Sequence, residues 1–238
     1  MLSNTSNRVC TDNDMDEVKE LTWLMEYYPL ALEYSRAYIN KHRVSIRDYK
    51  ELYQEHSVSL LTSKLPSYKK TTYTAWKISF DKAVERNRNT YNIMAMCSFF
   101  ASARIPFRDI FSKSDYKIVE LIEIEEDLLN YSLITIDGGY IGVHSITQEF
   151  TRKMLNAKFE SIKYLEEDIA LLISNFPQKI NDNETNRKVN DLMPHARRVF
   201  DFCIDKKINK IDEFCGVIGS KLYVIGMYIG PMSRFSTN

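Results

Sequence analysis

Only seven of the 238 residues are glycine, and none precedes Gly138. Loops that cradle phosphate press backbone N–H groups against the ligand, and they use glycine because no Cβ stands in the way. The first 137 residues therefore cannot hold a phosphate loop of the usual kind. In other respects the chain is ordinary, with 44% hydrophobic and 27% charged residues. At this length it makes one large domain or two to three small ones, and buries roughly 70–75% of its unfolded surface. Lys plus Arg (32) equals Asp plus Glu (32), so no global basic field draws it to nucleic acid or an anionic membrane.

Cysteine and histidine exclude two further classes. Cys10, Cys97, Cys203 and Cys215 are too few and too scattered for a disulfide scaffold, and none forms a C-x-x-C pair. His42, His56, His144 and His195 are equally dispersed, so zinc has no support. The expectation is a cytoplasmic chain with reduced thiols. Residues 1–13 read as a polar, frayed leader and not a secretory signal. The most apolar stretch, Leu222–Ile229, is about half the length of a spanning helix, so no membrane segment is expected.

Apolar spacing then divides the chain. Residues 14–65 form a helical block. Val18, Leu21, Leu24, Met25 and Tyr28 mark a first helix, Pro29 opens a second as its first residue, and Ser45 to Asp48 caps a third. The stripe Tyr34, Tyr38, Tyr49, Tyr53 reads as core. Residues 71–157 carry helices around Trp76–Val84 and Tyr91–Phe99, a short turn at Phe107–Phe111, and a helix with Val119, Ile122, Leu128 and Leu129 inward. The acidic run Glu120, Glu123, Glu125, Glu126, Asp127 reads as a solvated face, and Arg86 as ordinary surface charge. At Leu133–Ile136 the period changes to that of a strand, and Asp137-Gly138-Gly139 turns it into a second strand, Tyr140–Val143. Ser145-x-x-Gln148 reads as a capping box for a returning helix. Three helices, a hairpin and a returning helix are the parts of a winged helix. Residues 160–238 are helical throughout, ending in an apolar helix, Phe214–Ile229, with no partner element after it. Such an ending reads as though a continuation were missing, and it predicts self-association.

The order of these motifs resembles the C-terminal half of the NB-ARC module of STAND-type signalling ATPases, above all bacterial members whose winged helix runs into tetratricopeptide repeats. Tyr27-Tyr28-Pro29-Leu30-Ala31-Leu32-Glu33-Tyr34-Ser35-Arg36-Ala37-Tyr38-Ile39 is similar to the family's G-L-P-L-A-L helix and its A-x-x-A-x-Y-I continuation. Thr74-Ala75-Trp76 with Ser79-Phe80 resembles the start of the winged helix. Leu129 with Tyr131–Ile134, and Val143-His144-Ser145-Ile146 with Gln148, resemble its end. Leu192-Met193-Pro194-His195-Ala196 resembles the helix that leads into the repeats. The likeness runs in order over residues 16–229.

The resemblance implies a mainly α fold in three parts: a helical subdomain, a winged helix with one β-hairpin, and C-terminal helices leading toward a repeat array. It implies adenine contact at Pro29 and Leu30 and a β-phosphate contact at His144. The family glycine is Tyr27 here, and the aspartate that often follows the histidine is Ser145. The family's phosphate loop, Mg²⁺-binding strand and arginine sensor have no counterpart. Gly216 to Lys221 is two residues short of a P-loop and has no strand before it. Hence no catalytic or metal residues are expected, no ATPase activity, and ADP or ATP contact only together with a separate nucleotide-binding chain. Read without the resemblance, Pro29 is a helix-starting proline and His144 a strand-end ring that satisfies the next helix.

The function implied is a regulatory fragment whose protein partners dock on the C-terminal helices. Two alternatives stand beside it: a winged-helix DNA-binding regulator, and a truncated reading frame with no function of its own. The recognition helix expected near Tyr91–Ala103 carries no Lys or Arg at all, which argues against nucleic acid.

Overall fold

A helix commonly stops at a residue in the left-handed region, and glycine takes that position at least cost. This chain stops its helices without it. The computed structural model describes residues 12–58, 67–179 and 182–208, with Gly216 and Gly219 as isolated positions. Helix α1 (Asp12–Leu24) ends at Glu26, φ 52°; Glu26 N–H donates to the Trp23 carbonyl (2.9 Å) and Tyr27 N–H to that of Thr22 (3.1 Å). Tyr27 is itself left-handed, at φ 59°. Ser132, Phe159 and Lys207 close α7 (Ile118–Asn130), α8 (Ser145–Ala157) and α10 (Asn183–Lys206) by the same paired bonds. Each costs about 1 kcal/mol more than glycine would.

The described residues fall into two compact units. The first comprises residues 1–91 and 123–135. In it α2 (Pro29–His42) and α3 (Ile46–Val58) pack on α4 (Ser67–Arg86), and α1 packs on α3. Ser45 and Asp48 cap α3 reciprocally, with Asp48 N–H on Ser45 Oγ at 3.1 Å and Ser45 N–H on Asp48 Oδ2 at 3.2 Å. Tyr34, Tyr38, Tyr49 and Tyr53 are all buried core, and Trp76 stacks on Phe80 at 4.9 Å.

The second unit comprises residues 92–122 and 136–238. After α5 (Asn89–Cys97), Ile105 pairs with Ile141 through two hydrogen bonds of 2.9 Å, α6 (Phe107–Phe111) follows, and α9 (Ser161–Asn175) packs on α6, α8 and α10. Strands β1 (Thr135–Asp137) and β2 (Tyr140–Gly142) form a two-stranded antiparallel sheet. Gly138 (φ 56°) and Gly139 (φ 83°) make its turn, where both residues need positive φ. Among the described residues the fold is thus mainly helical with one small hairpin, as the sequence predicts.

Several expectations change. Helix α4, read as the start of the second block, docks on α2 and α3. On α7 the buried face is Leu121, Ile124 and Leu128, whereas Val119 and Leu129 are 62% and 42% exposed. Two apolar stripes share the helical period there, and tertiary packing selects one. The solvated-face reading of the acidic run fails for Glu125 and Asp127, which are 5% and 8% exposed. Gln148 does not close a capping box, because His144 caps α8 instead. The leader to residue 11, the loop around Pro66, the Gly216–Lys221 motif, the Phe214–Ile229 helix, Cys10 and Cys215 lie wholly or mostly outside the described residues.

Gln148 is buried and its Nε2 donates to the carbonyls of Cys97 (2.9 Å) and Phe100 (3.0 Å). It thereby satisfies acceptors left open where α5 ends. Replacing it with leucine strands two buried carbonyls, and Gln148→Leu is expected to lower unfolding free energy by about 2 to 4 kcal/mol in urea titration.

Candidate functional site

The three residues suggested by resemblance each have a local role. Pro29 is the first residue of α2 and is exposed, with Tyr28 before it in extended conformation (φ −73°, ψ 118°). A proline there loses nothing, because its missing N–H has no helical partner in any case. Leu30 is half-buried. His144 is exposed in the other unit, and its Nδ1 accepts from Ile146 N–H at 3.2 Å. That bond places the ring proton on Nε2, leaving one donor outward.

A cleft of about 520 Å³ opens elsewhere in the first unit, lined by Tyr38, His42, Val44, Lys82, Glu85, Arg86 and Tyr131. None of the three expected residues lines it. It forms where α2 and α4 end and where the chain leaves α7. Cations at helix C-termini offset the negative pole of the peptide dipoles, and Lys41 and Arg86 both occupy last turns. Asp127, near the end of α7, takes Lys41 Nζ on Oδ1 and Arg86 Nε on Oδ2, each at 2.9 Å. The Lys41 ammonium also sits 5.6 Å over the Tyr131 ring.

The recess is aromatic with a charged rim. The Tyr38 and His42 rings lie 4.4 Å apart, and His42 and Tyr131 5.7 Å apart. His42 Nε2 and the Tyr131 hydroxyl are 3.0 Å apart, and Lys82 pairs with Glu85 at 2.7 Å. Desolvation, then the charges of Lys82, Lys41 and Arg86, lower the His42 pKa, so the ring is neutral at pH 7. Burial pushes the Tyr131 phenol up to about 12, which makes it a poor acid. Serine, threonine and cysteine are absent from the lining. The recess thus presents aromatic faces, a neutral imidazole beside a phenol and a charged rim.

The second unit holds buried polar groups that sequence reading missed. Asp168 on α9 is fully buried, and neither carboxyl oxygen has a hydrogen-bond partner among the described residues. Desolvation raises its pKa well above the ordinary range, so it is held protonated. Burial pushes the Cys97 thiol up as well, which makes that sulfur inert. His195 donates from Nε2 to the Arg104 carbonyl at 3.1 Å, while burial lowers its pKa. Arg86 and Asp127 read in sequence as surface charge, Asp168 carries no sequence signal, and only the packing of distant segments reveals them.

Among the described residues no group of His, Cys, Asp and Glu could hold a metal ion, and no helix is long and apolar enough to cross a membrane. No protein-family model matches the chain, and comparison with curated proteins and with solved structures finds no similar protein.

Asp127→Asn removes the charge that neutralises two cations and is expected to cost about 1 to 3 kcal/mol of stability, read by thermal unfolding. Asp168 gives a pH signature. Its folded pKa lies above the unfolded value, so its contribution is full below about pH 4 and is lost as pH rises toward the folded pKa. Asp168→Asn is expected to remove that fall, so the gain over wild type grows between pH 4 and 8 in parallel denaturation curves.

Proposed function

We propose that the chain is a regulatory, protein-interaction fragment of the NB-ARC (STAND) kind: a helical subdomain, a winged helix and the first helices of a repeat array. It is non-catalytic by itself and contacts ADP or ATP only beside a separate nucleotide-binding chain. The order of elements carries the reading. Helix α5, the Ile105–Ile141 bridge, α6, α7, β1 and β2 follow one another as helix, bridge, helix, helix and hairpin, which resembles the order of a winged helix. Tyr27 adds support, because the position where the family has glycine is left-handed here (φ 59°). The outward Nε2–H of His144 is the donor that a phosphate oxygen would need.

The same order weighs against DNA. It makes α7 the third helix, which in DNA-binding winged helices enters the major groove. That helix carries Glu120, Glu123, Glu125, Glu126 and Asp127 and no Lys or Arg. Sequence alone suggests the recognition helix near Tyr91–Ala103. DNA affinity rests on neutralising phosphates, and an acidic helix repels them. The hairpin is also engaged within its own unit. The Tyr140 hydroxyl donates to Asp191 Oδ2 (2.8 Å), and the Arg104 guanidinium lies 4.2 Å over its ring.

The test uses the purified chain. It is expected to turn over no ATP above background and to leave random duplex unshifted at low salt. Turnover, or duplex binding that weakens steeply with salt, overturns the reading.

A further inference from the structure

Residues of α8 and α10 hold two arginines at one aromatic ring. The Arg152 guanidinium lies 5.0 Å and the Arg198 guanidinium 4.7 Å from the centroid of Phe202, which is itself fixed edge-on against Phe99 at 5.4 Å. Arg152 is half-buried and donates one N–H to the Ser98 carbonyl, which leaves the other edge of its fork unspent. Neither arginine has an ion pair among the described residues. Glu149, the carboxylate that acts on Arg152, is taken by Lys153 at 2.8 Å. Desolvation and then repulsion from Arg198 lower the Arg152 pKa to about 10, a cost that the Glu149 carboxylate offsets only in part. One turn on, Lys206 Nζ donates to Asn156 Oδ1 at 3.1 Å, extending the positive strip.

We propose that Arg152 and Arg198 form a binding site for a tetrahedral dianion of the phosphate class, either free phosphate or a phosphomonoester. Two planar donor forks at one place match the charge and the oxygen array of such an anion better than a single carboxylate, which would neutralise only one of them. Both guanidinium groups lie within 5.0 Å of the Phe202 centroid, and the exposed Arg198 chain can adjust its rotamer as the anion enters. The site is independent of the family reading above, and it asks nothing of Pro29 or His144.

The experiment follows the arginine side-chain Nε–Hε signals by NMR at pH 8, while inorganic phosphate or O-phosphoserine is added at constant ionic strength. Saturable movement of the Arg152 and Arg198 signals is expected with both probes. Tenfold tighter binding of O-phosphoserine assigns the site to a phosphorylated partner, and equal binding assigns it to the free anion. Arg198→Gln leaves an exposed helix position uncharged and is expected to weaken the response at least tenfold, while Arg187→Gln, also on α10, leaves it unchanged. Arg152→Gln tests the second fork, and because it also removes the bond to Ser98 its fold is checked by circular dichroism. Movement that follows chloride equally, or a response that survives Arg198→Gln, overturns the proposal.

Discussion

Asp127 joins three segments that are far apart in sequence. Its two carboxylate oxygens take Lys41 from the end of α2 and Arg86 from the end of α4, and the side chain is 11% exposed. Ion pairs on open surface contribute little, because water screens them and long side chains lose freedom. Here the carboxylate and Lys41 are shielded while Arg86 is 56% exposed, and the carboxylate neutralises two cations placed where helix carbonyls would otherwise be uncompensated. The residues next to it add a second layer: Ser132 donates to Glu33 at 2.9 Å, and Tyr131 meets His42. Residues 123–135 thereby belong to the unit built from residues 1–91, although 31 residues of the other unit separate them.

The scarcity of glycine sets a different constraint. Five left-handed residues follow helix ends in the paired-bond stops described above, at Glu26, Tyr27, Ser132, Phe159 and Lys207, and each keeps its side chain. The chain spends some stability at every stop and recovers it from burial elsewhere. Glycines appear instead at the hairpin, where two consecutive positive φ angles leave almost no other choice.

Local chemistry was the most legible part of the sequence. The Ser45–Asp48 cap, Pro29 at a helix start and the Gly138-Gly139 turn all depend on neighbours within a few residues and appear as expected, whereas periodicity locates the helices but picks the wrong stripe on α7. Groups whose roles depend on distant partners were not legible. Asp127 sits in a run of acids and looks solvated until α2 and α4 are placed beside it. Gln148 stands at the right spacing for a local cap, but two buried carbonyls some fifty residues away claim its amide. The cleft was invisible for the same reason: Tyr38, Lys82 and Tyr131 share no spacing that a linear pattern could register.

Phe159 shows where such bookkeeping leads. Its ring is 94% exposed on a backbone at φ 60°, so the residue is unfavourable both in conformation and in hydration. Glycine or asparagine would relieve both at once. In lineages where the ring has no task, mutation should erode it within a few substitutions. Where an aromatic persists at this bend, selection is acting through a surface that the isolated polypeptide does not contain.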